Sequence, residues 1–187
     1  TNSVPRIKIL ITFIKTKTLE LKIIKTERLT LKIADLDDVK FFLKLYNEPL
    51  FIKYIGDRNL KTVKDAENYI KEKFQPQFEK MGFGNYVMIR KSDNMKIGAV
   101  GIFVREGFEI PDIGFSVLEE FHNQGFAFEA AKQLKDFISK NFKLKKLSAI
   151  TTEDNISSQK LIEKLGLKYM KMVEFPGDCE LLRYYEN

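Results

Sequence analysis

The sequence predicts a mixed α+β fold, a mainly antiparallel central sheet flanked by helices with one parallel crossover, on three observations. Apolar residues alternate at period two in several short runs, as in Leu29, Leu31 and Ile33. Others recur at helical spacing, as in Val39, Phe42, Leu43 and Tyr46. In the second half of the chain, strand and helix patterns alternate along the sequence rather than segregating. The 187 residues suit one compact domain, and 44% hydrophobic residues, with 16 Phe and 7 Tyr, supply enough apolar surface to offset chain entropy. We expect residues 25–187 to form that domain and residues 1–24 to form an N-terminal arm or extra strand.

Taken in order, the apolar run IKILITFI at 7–14 stops at Lys15 and Lys17, well short of the ~20 residues a membrane helix requires. It lacks a small-residue cleavage site and continues as LELKII at 19–24 with strand-like alternation, so neither a span nor a signal peptide is expected. Residues 29–33 are the first core strand. Asp35 then sits where a helix N-cap belongs, with Asp38 three positions on, and Asn47-Glu48-Pro49 ends the helix they start. Residues 49–58 read as a loop. A second helix opens at Thr62 with Asp65 three residues later, is divided near Pro76, and stops at Met81-Gly82. Strands at 86–90 and 96–105 flank the turn formers Ser92-Asp93-Asn94, and a third run at 110–118, after Glu106-Gly107, completes an antiparallel meander. Its residues Ile113, Phe115 and Val117 point to one side. A helix at 125–140, a strand at 146–151, a helix at 156–165 and strands at 168–173 and 181–185 follow, and the parallel crossover joins 110–118 to 146–151.

Charge decides little. The formal charge of +6 suits an anionic ligand, but the basic residues are interspersed with acids, as in KEKF (71–74), which reads as a solvated mixed surface rather than a nucleic-acid patch. One cysteine, Cys179, excludes an internal disulfide and fits a reducing, cytoplasmic setting. On its late strand it reads as a core thiol, and we give it no catalytic role. His122 is the sole histidine, too few for a multi-histidine metal site, so no metal is expected.

The most informative stretch is FHNQGFAFEA (121–130), between a strand and a strongly amphipathic helix. Gly125 and the small Ala127 at the helix start leave successive backbone N–H groups unpaired and open to an anion, although a plain strand-to-helix turn reads the same way. This stretch resembles the acyl-CoA pyrophosphate loop of GNAT acetyltransferases, Gln/Arg-x-x-Gly-x-Gly/Ala, matching at Gly125 and Ala127 and departing at His122. Three more segments, TERLTLK (26–32), PDIGFSV (111–117) and NISSQKLIEKLGL (155–167), resemble the ribosomal-protein N-terminal alanine acetyltransferases (RimJ/RimL type) in the same order.

The resemblance implies a GNAT fold in which strands 110–118 and 146–151 splay apart to admit pantetheine. It implies acetyl-CoA as cosubstrate, held by Val117, His122, Asn123, Gln124, Gly125, Phe126, Ala127, Asn155 and Ser158. Asn155 reads equally as a simple helix cap. Amine attack on a thioester needs a base, a polarised carbonyl and a proton for the thiolate. Asp112 is the candidate base with Glu109 in reserve, the alternative being an exposed strand acid of no function. A strand N–H near Val117 is the expected carbonyl donor, and Ser158 lies near the thioester as a proton source. Where many relatives carry a general-acid Tyr, this chain has Ile162.

The expected activity is acetyl transfer to a primary amine, on a peptide N-terminus or a small molecule, by direct attack in a ternary complex. The competing readings are a catalytically idle CoA-binding regulator or scaffold and, on charge alone, a nucleic-acid-binding module. Residues 35–46, 49–58 and 175–178 are the expected acceptor walls, with Asp57 and Arg58 as candidate contacts, and residues 1–24 the candidate intersubunit strand of a homodimer.

Overall fold

The computed structural model describes residues 22–105, 108–174 and 180–187. The expectations for residues 1–21, for Glu106-Gly107, and for 175–179, including Cys179 and the acceptor wall at 175–178, lie outside the described residues.

Among the described residues eight strands form one sheet: β1 (Ile23–Lys25), β2 (Leu29–Ile33), β3 (Asn85–Arg90), β4 (Met95–Phe103), β5 (Asp112–Val117), β6 (Ser148–Thr151), β7 (Lys168–Glu174) and β8 (Leu181–Glu186). Their spatial order is β1-β2-β3-β4-β5-β6-β8-β7, antiparallel throughout except for β5 beside β6. The expected meander and single parallel crossover are therefore present. β8 returns between β6 and β7, an order the pattern of apolar residues does not encode. On β2 the buried residues are Leu29, Leu31 and Ile33, with Thr30 and Lys32 half-buried. On β4 burial is continuous from Ile97 to Ile102, which requires cover on both faces of the sheet.

The helices are α1 (Val39–Leu45), α2 (Pro49–Ile55), α3 (Val63–Tyr69), α4 (Gln75–Met81), α5 (Phe126–Phe142) and α6 (Ile156–Lys164). Asp35 and Asp38 form the expected capping box at the 3-10 turn that leads into α1, and Thr62 and Asp65 form another at α3. Asp38 is fully buried, with Lys32 Nζ 2.8 Å from one oxygen and Lys96 Nζ 2.6 Å from the other, so the entry to α1 is pinned to β2 and β4. A π-helical segment, Ile70–Phe74, separates α3 from α4, and Pro76 sits in the first turn of α4 where its missing N–H is harmless. The expected loop at 49–58 is instead helical over α2, because Pro49 at the first helical position presets the backbone for a helix. α5 packs across β4 and β5 and reaches β1 and β2, burying Phe126, Ala130, Ala131, Leu134 and Ile138. α6 packs against β6 and β7.

Candidate active site

β5 and β6 pair at one register position only, Asp112 opposite Ser148, with Ser148 N–H donating to Pro111 O at 2.9 Å. Beyond that point the two strands part. Leu118 N–H donates to Ile97 O at 2.9 Å, which fixes the phase of the antiparallel β4–β5 ladder. Alternation then turns the backbone groups of Phe115 and Val117 away from β4 and toward the gap. Of the three residues expected on one side of β5, Ile113 is buried in the core, whereas Phe115 and Val117 are half-buried because they border this opening.

Where β5 ends, a 3-10 turn (Glu119–Phe121) leads into the loop before α5. Asn123 (φ +59°) and Gly125 (φ +79°) both take left-handed backbone conformations there. A side chain at 125 would be strained, and its Cβ would meet Arg28 Nη2 at 3.4 Å. Gly125 caps α5 with its carbonyl, which accepts from Glu129 N–H at 3.0 Å, and no side chain caps the helix. The N–H groups of Phe126, Ala127 and Phe128, the first three helical positions, therefore have no carbonyl within the helix to meet. They form an electropositive set of donors facing outward at the start of a 17-residue helix.

His122 is exposed and brings its Nε2 within 2.7 Å of Val117 O. A carbonyl only accepts, so Nε2 carries the hydrogen, and the ring ties the loop back to the open edge of β5. Gln124 points elsewhere: its Nε2 donates to Glu120 O at 3.3 Å and its carbonyl accepts from Arg28 Nη1 at 2.9 Å. It does not line the cavity, unlike Val117, His122, Asn123, Gly125, Phe126, Ala127, Asn155 and Ser158.

That cavity, about 880 Å³, occupies the gap between β5 and β6 and extends under α2. Asn155 Oδ1 accepts from Ser158 N–H at 3.1 Å, so Asn155 does cap α6, and the cap engages its oxygen. Ser158 is half-buried and Ile162 is 1% exposed at the same wall.

Asp112 is not an exposed strand acid. It is 4% exposed, and Arg105 engages both carboxylate oxygens, one through Nε and the other through Nη2 at 3.3 Å. Burial pushes the carboxyl above the usual range, and the Arg105 charge and hydrogen bonds oppose that rise without cancelling it. Glu109 is exposed and does not line the cavity.

The far half of the cavity is aromatic, with Tyr46, Phe51, Tyr54, Tyr69, Phe74 and Phe103 in its walls. Tyr46 stacks on Phe51 at 4.2 Å between centroids, and burial raises its phenol well above the usual value, so it stays neutral. Of the candidate acceptor contacts, Arg58 lines the cavity, whereas Asp57 is turned to Asn59 N–H at 2.7 Å. From the expected wall at 35–46 only Tyr46 reaches the cavity. α2 spans its mouth: Glu48 Oε2, just before the helix, accepts from Glu119 N–H at 2.9 Å, and Lys53 pairs with Asp154 at 2.9 Å ahead of α6.

Residue-by-residue reading of the sequence missed Arg105 and Arg28. Arg105 lies seven residues before its carboxylate, outside any local pattern. Arg28 stood inside the TERLTLK segment, where a cation followed 101 residues later by Glu129 carries no periodic signal. Among the described residues no cluster of three His, Cys, Asp or Glu side chains has metal-site geometry, and no helix is long and apolar enough to cross a membrane.

The family profile described as Acetyltransferase (GNAT) domain matches residues 28–168. The chain is similar to the uncharacterized N-acetyltransferase YnaD of Bacillus subtilis (strain 168), 23% identical over 145 residues, covering 78% of this chain and 82% of that protein. It is also similar to the uncharacterized N-acetyltransferase YoaA of the same organism, 25% identical over 148 residues with the same coverage. Among solved structures, the fold matches a GNAT-family acetyltransferase from Bacillus anthracis with TM-score 0.71, 23% identity, and coverage of 88% of this chain and 95% of that one. It matches the ribosomal-protein-S5-alanine acetyltransferase from Vibrio fischeri with TM-score 0.73, 16% identity and the same coverage.

Proposed function

The chain belongs to the acetyltransferase (GNAT) domain family and is an acetyl-CoA-dependent N-acetyltransferase; from that premise we propose that it acetylates the primary amine of a peptide N-terminus or a small molecule, by direct attack in a ternary complex. In this reading residues 25–187 are one catalytic domain.

The observation that carries the proposal is the continuity of two sets of backbone donors, the open edge of β5 at Phe115 and Val117 and the start of α5 at Phe126 to Phe128. Acetyl-CoA has the matching chemistry in the matching order. Its pantetheine amides would pair with the β5 edge as an added strand does, and its pyrophosphate would take the amides of the Asn123 to Ala127 loop. His122 closes one face of that loop, and the Asn155 amide and Ser158 border the pantetheine side. Gln124 contributes through its backbone and not its side chain.

Asp112, held by Arg105 at the closed end of the gap, takes the amine proton through water, since a free α-amine titrates near ~8 and must shed a proton to attack. A strand N–H near Val117 receives the carbonyl charge. With Ile162 in place of a phenol, Ser158 or a bound water supplies the thiolate proton, which a thiol of pKa around ~8.5 scarcely demands. The structural kinship with ribosomal-protein acetyltransferases supports a peptide acceptor, and the aromatic half of the cavity under α2 is where its first residues would lie.

The test is an assay of free thiol release from acetyl-CoA against a panel of peptides differing in their first residue and of small amines. Release that depends on one acceptor class supports the proposal. Tight acetyl-CoA binding with no release above background for any amine would favour an idle CoA-binding protein instead.

A further inference from the structure

The turn before β2 and the first turn of α5 are joined by an unusually dense set of bonds for two partly exposed segments. Thr26 Oγ1 accepts from Leu29 N–H at 2.8 Å, a local turn that sets the backbone of residues 26–28. Glu129 then receives three donors from that turn: Thr26 Oγ1 at 2.5 Å and Arg28 N–H at 2.8 Å on one oxygen, and Arg28 Nε at 2.6 Å on the other. Arg28 also donates from Nη1 to Gln124 O at 2.9 Å and lays its guanidinium 4.4 Å over the Phe126 ring. One side chain thus reaches residues on both sides of Gly125.

We infer that Arg28 is a positioning residue for the phosphate-facing loop, holding the segment between the left-handed Asn123 and Gly125 in the conformation that presents the amides of α5. The inference rests on the acetyl-CoA reading given above. Apart from Arg28 and the His122 contact to Val117 O, the described hydrogen bonds from this loop are local ones, within the turn before it or the helix after it. His122 ties the start of the loop to β5, and Arg28 links its residues next to Gly125 to the turn before β2. A surface ion pair alone would do little for stability, because its charges are largely solvated, and the Arg28 side chain is 44% exposed. The same guanidinium gripping the residues on both sides of Gly125 does more, because a misplaced donor set loses several phosphate contacts together. Glu129 has the matching role of aligning Arg28. Burial would raise its carboxyl, but the Thr26 and Arg28 hydrogen bonds outweigh that and keep it ionised.

The experiment compares two ligands in calorimetric titrations, acetyl-CoA and S-acetylpantetheine, the second retaining thioester and amides but no phosphate. The proteins are the parent, Arg28→Ala, Glu129→Gln and the double variant, each checked for an intact thermal transition. Each single substitution should raise the acetyl-CoA Kd about tenfold and leave the S-acetylpantetheine Kd unchanged, and the double should be no worse than either single, the signature of residues acting as one unit. Equal weakening of both ligands would overturn the inference in favour of a general scaffold role. Tighter acetyl-CoA binding by Glu129→Gln, or additive losses in the double, would overturn it in favour of direct contact between Arg28 and phosphate. A parent that binds both ligands equally well would sink the phosphate-loop reading itself, and the role of Arg28 with it.

Discussion

Burial pushes the Asp112 carboxyl up against the pull of Arg105, and this has two consequences that can be measured separately. In the folded chain the group takes its proton at higher pH than in the unfolded chain, so between the ordinary value of 3.8 and the raised one the folded state binds more protons. Stability from Asp112 is therefore fully present below that window and is lost as pH rises through the folded value. A series of thermal midpoints against pH should show this loss in the parent and not in Asp112→Asn. The same substitution should lower kcat at neutral pH roughly 100-fold or more, the usual range for a general base, while sparing acetyl-CoA affinity; an unchanged rate would remove Asp112 from the mechanism. For Ser158→Ala the expected outcome is a modest fall in kcat, and a loss of many orders of magnitude would mean that the thiolate depends on that hydroxyl.

At the scale of elements, the caps and the breaks were the most legible features because they are local. Asp35 with Asp38 and Thr62 with Asp65 each act over three residues, and the sequence shows both boxes directly. α2 was misread because Pro49 fits a helix start as well as a stop. The order β6-β8-β7 and the Arg105–Asp112 pair depend on contacts between distant segments, which no window of sequence contains. Asn155 illustrates the overlap of local and distant roles. Asn155→Ala should cost about 1 kcal/mol of stability through the lost cap of α6, read by denaturant titration, and should also weaken acetyl-CoA binding; a stability loss with unchanged binding would leave it a cap alone. Leu134→Ala, on the buried face of α5 and 0% exposed, should cost about 2–5 kcal/mol with little change in the ligand affinity of the protein that remains folded.

Across the whole molecule, one sheet carries the account. Its antiparallel majority builds a core continuous through β4, and its single parallel junction closes only at Asp112 and Ser148, which leaves the wedge into which the cavity fits. The loop was legible because a glycine at a helix start is a local signal, whereas the wedge was expected only through the resemblance of the motifs to GNAT acetyltransferases. The sequence named the segment 49–58, which lines the aromatic half of the cavity as α2, but not the contributions of α3 and of the ends of β4 and β8, which meet only in the folded chain. The central claim, that this wedge and loop hold acetyl-CoA, is tested most directly by calorimetric titration of acetyl-CoA into the parent and into Gly125→Glu. The account predicts saturable one-site binding by the parent and none by a folded Gly125→Glu, whose side chain would be strained at φ +79° and would set a carboxylate against the phosphate donors. Equal binding by both, or no binding by the parent, would contradict it.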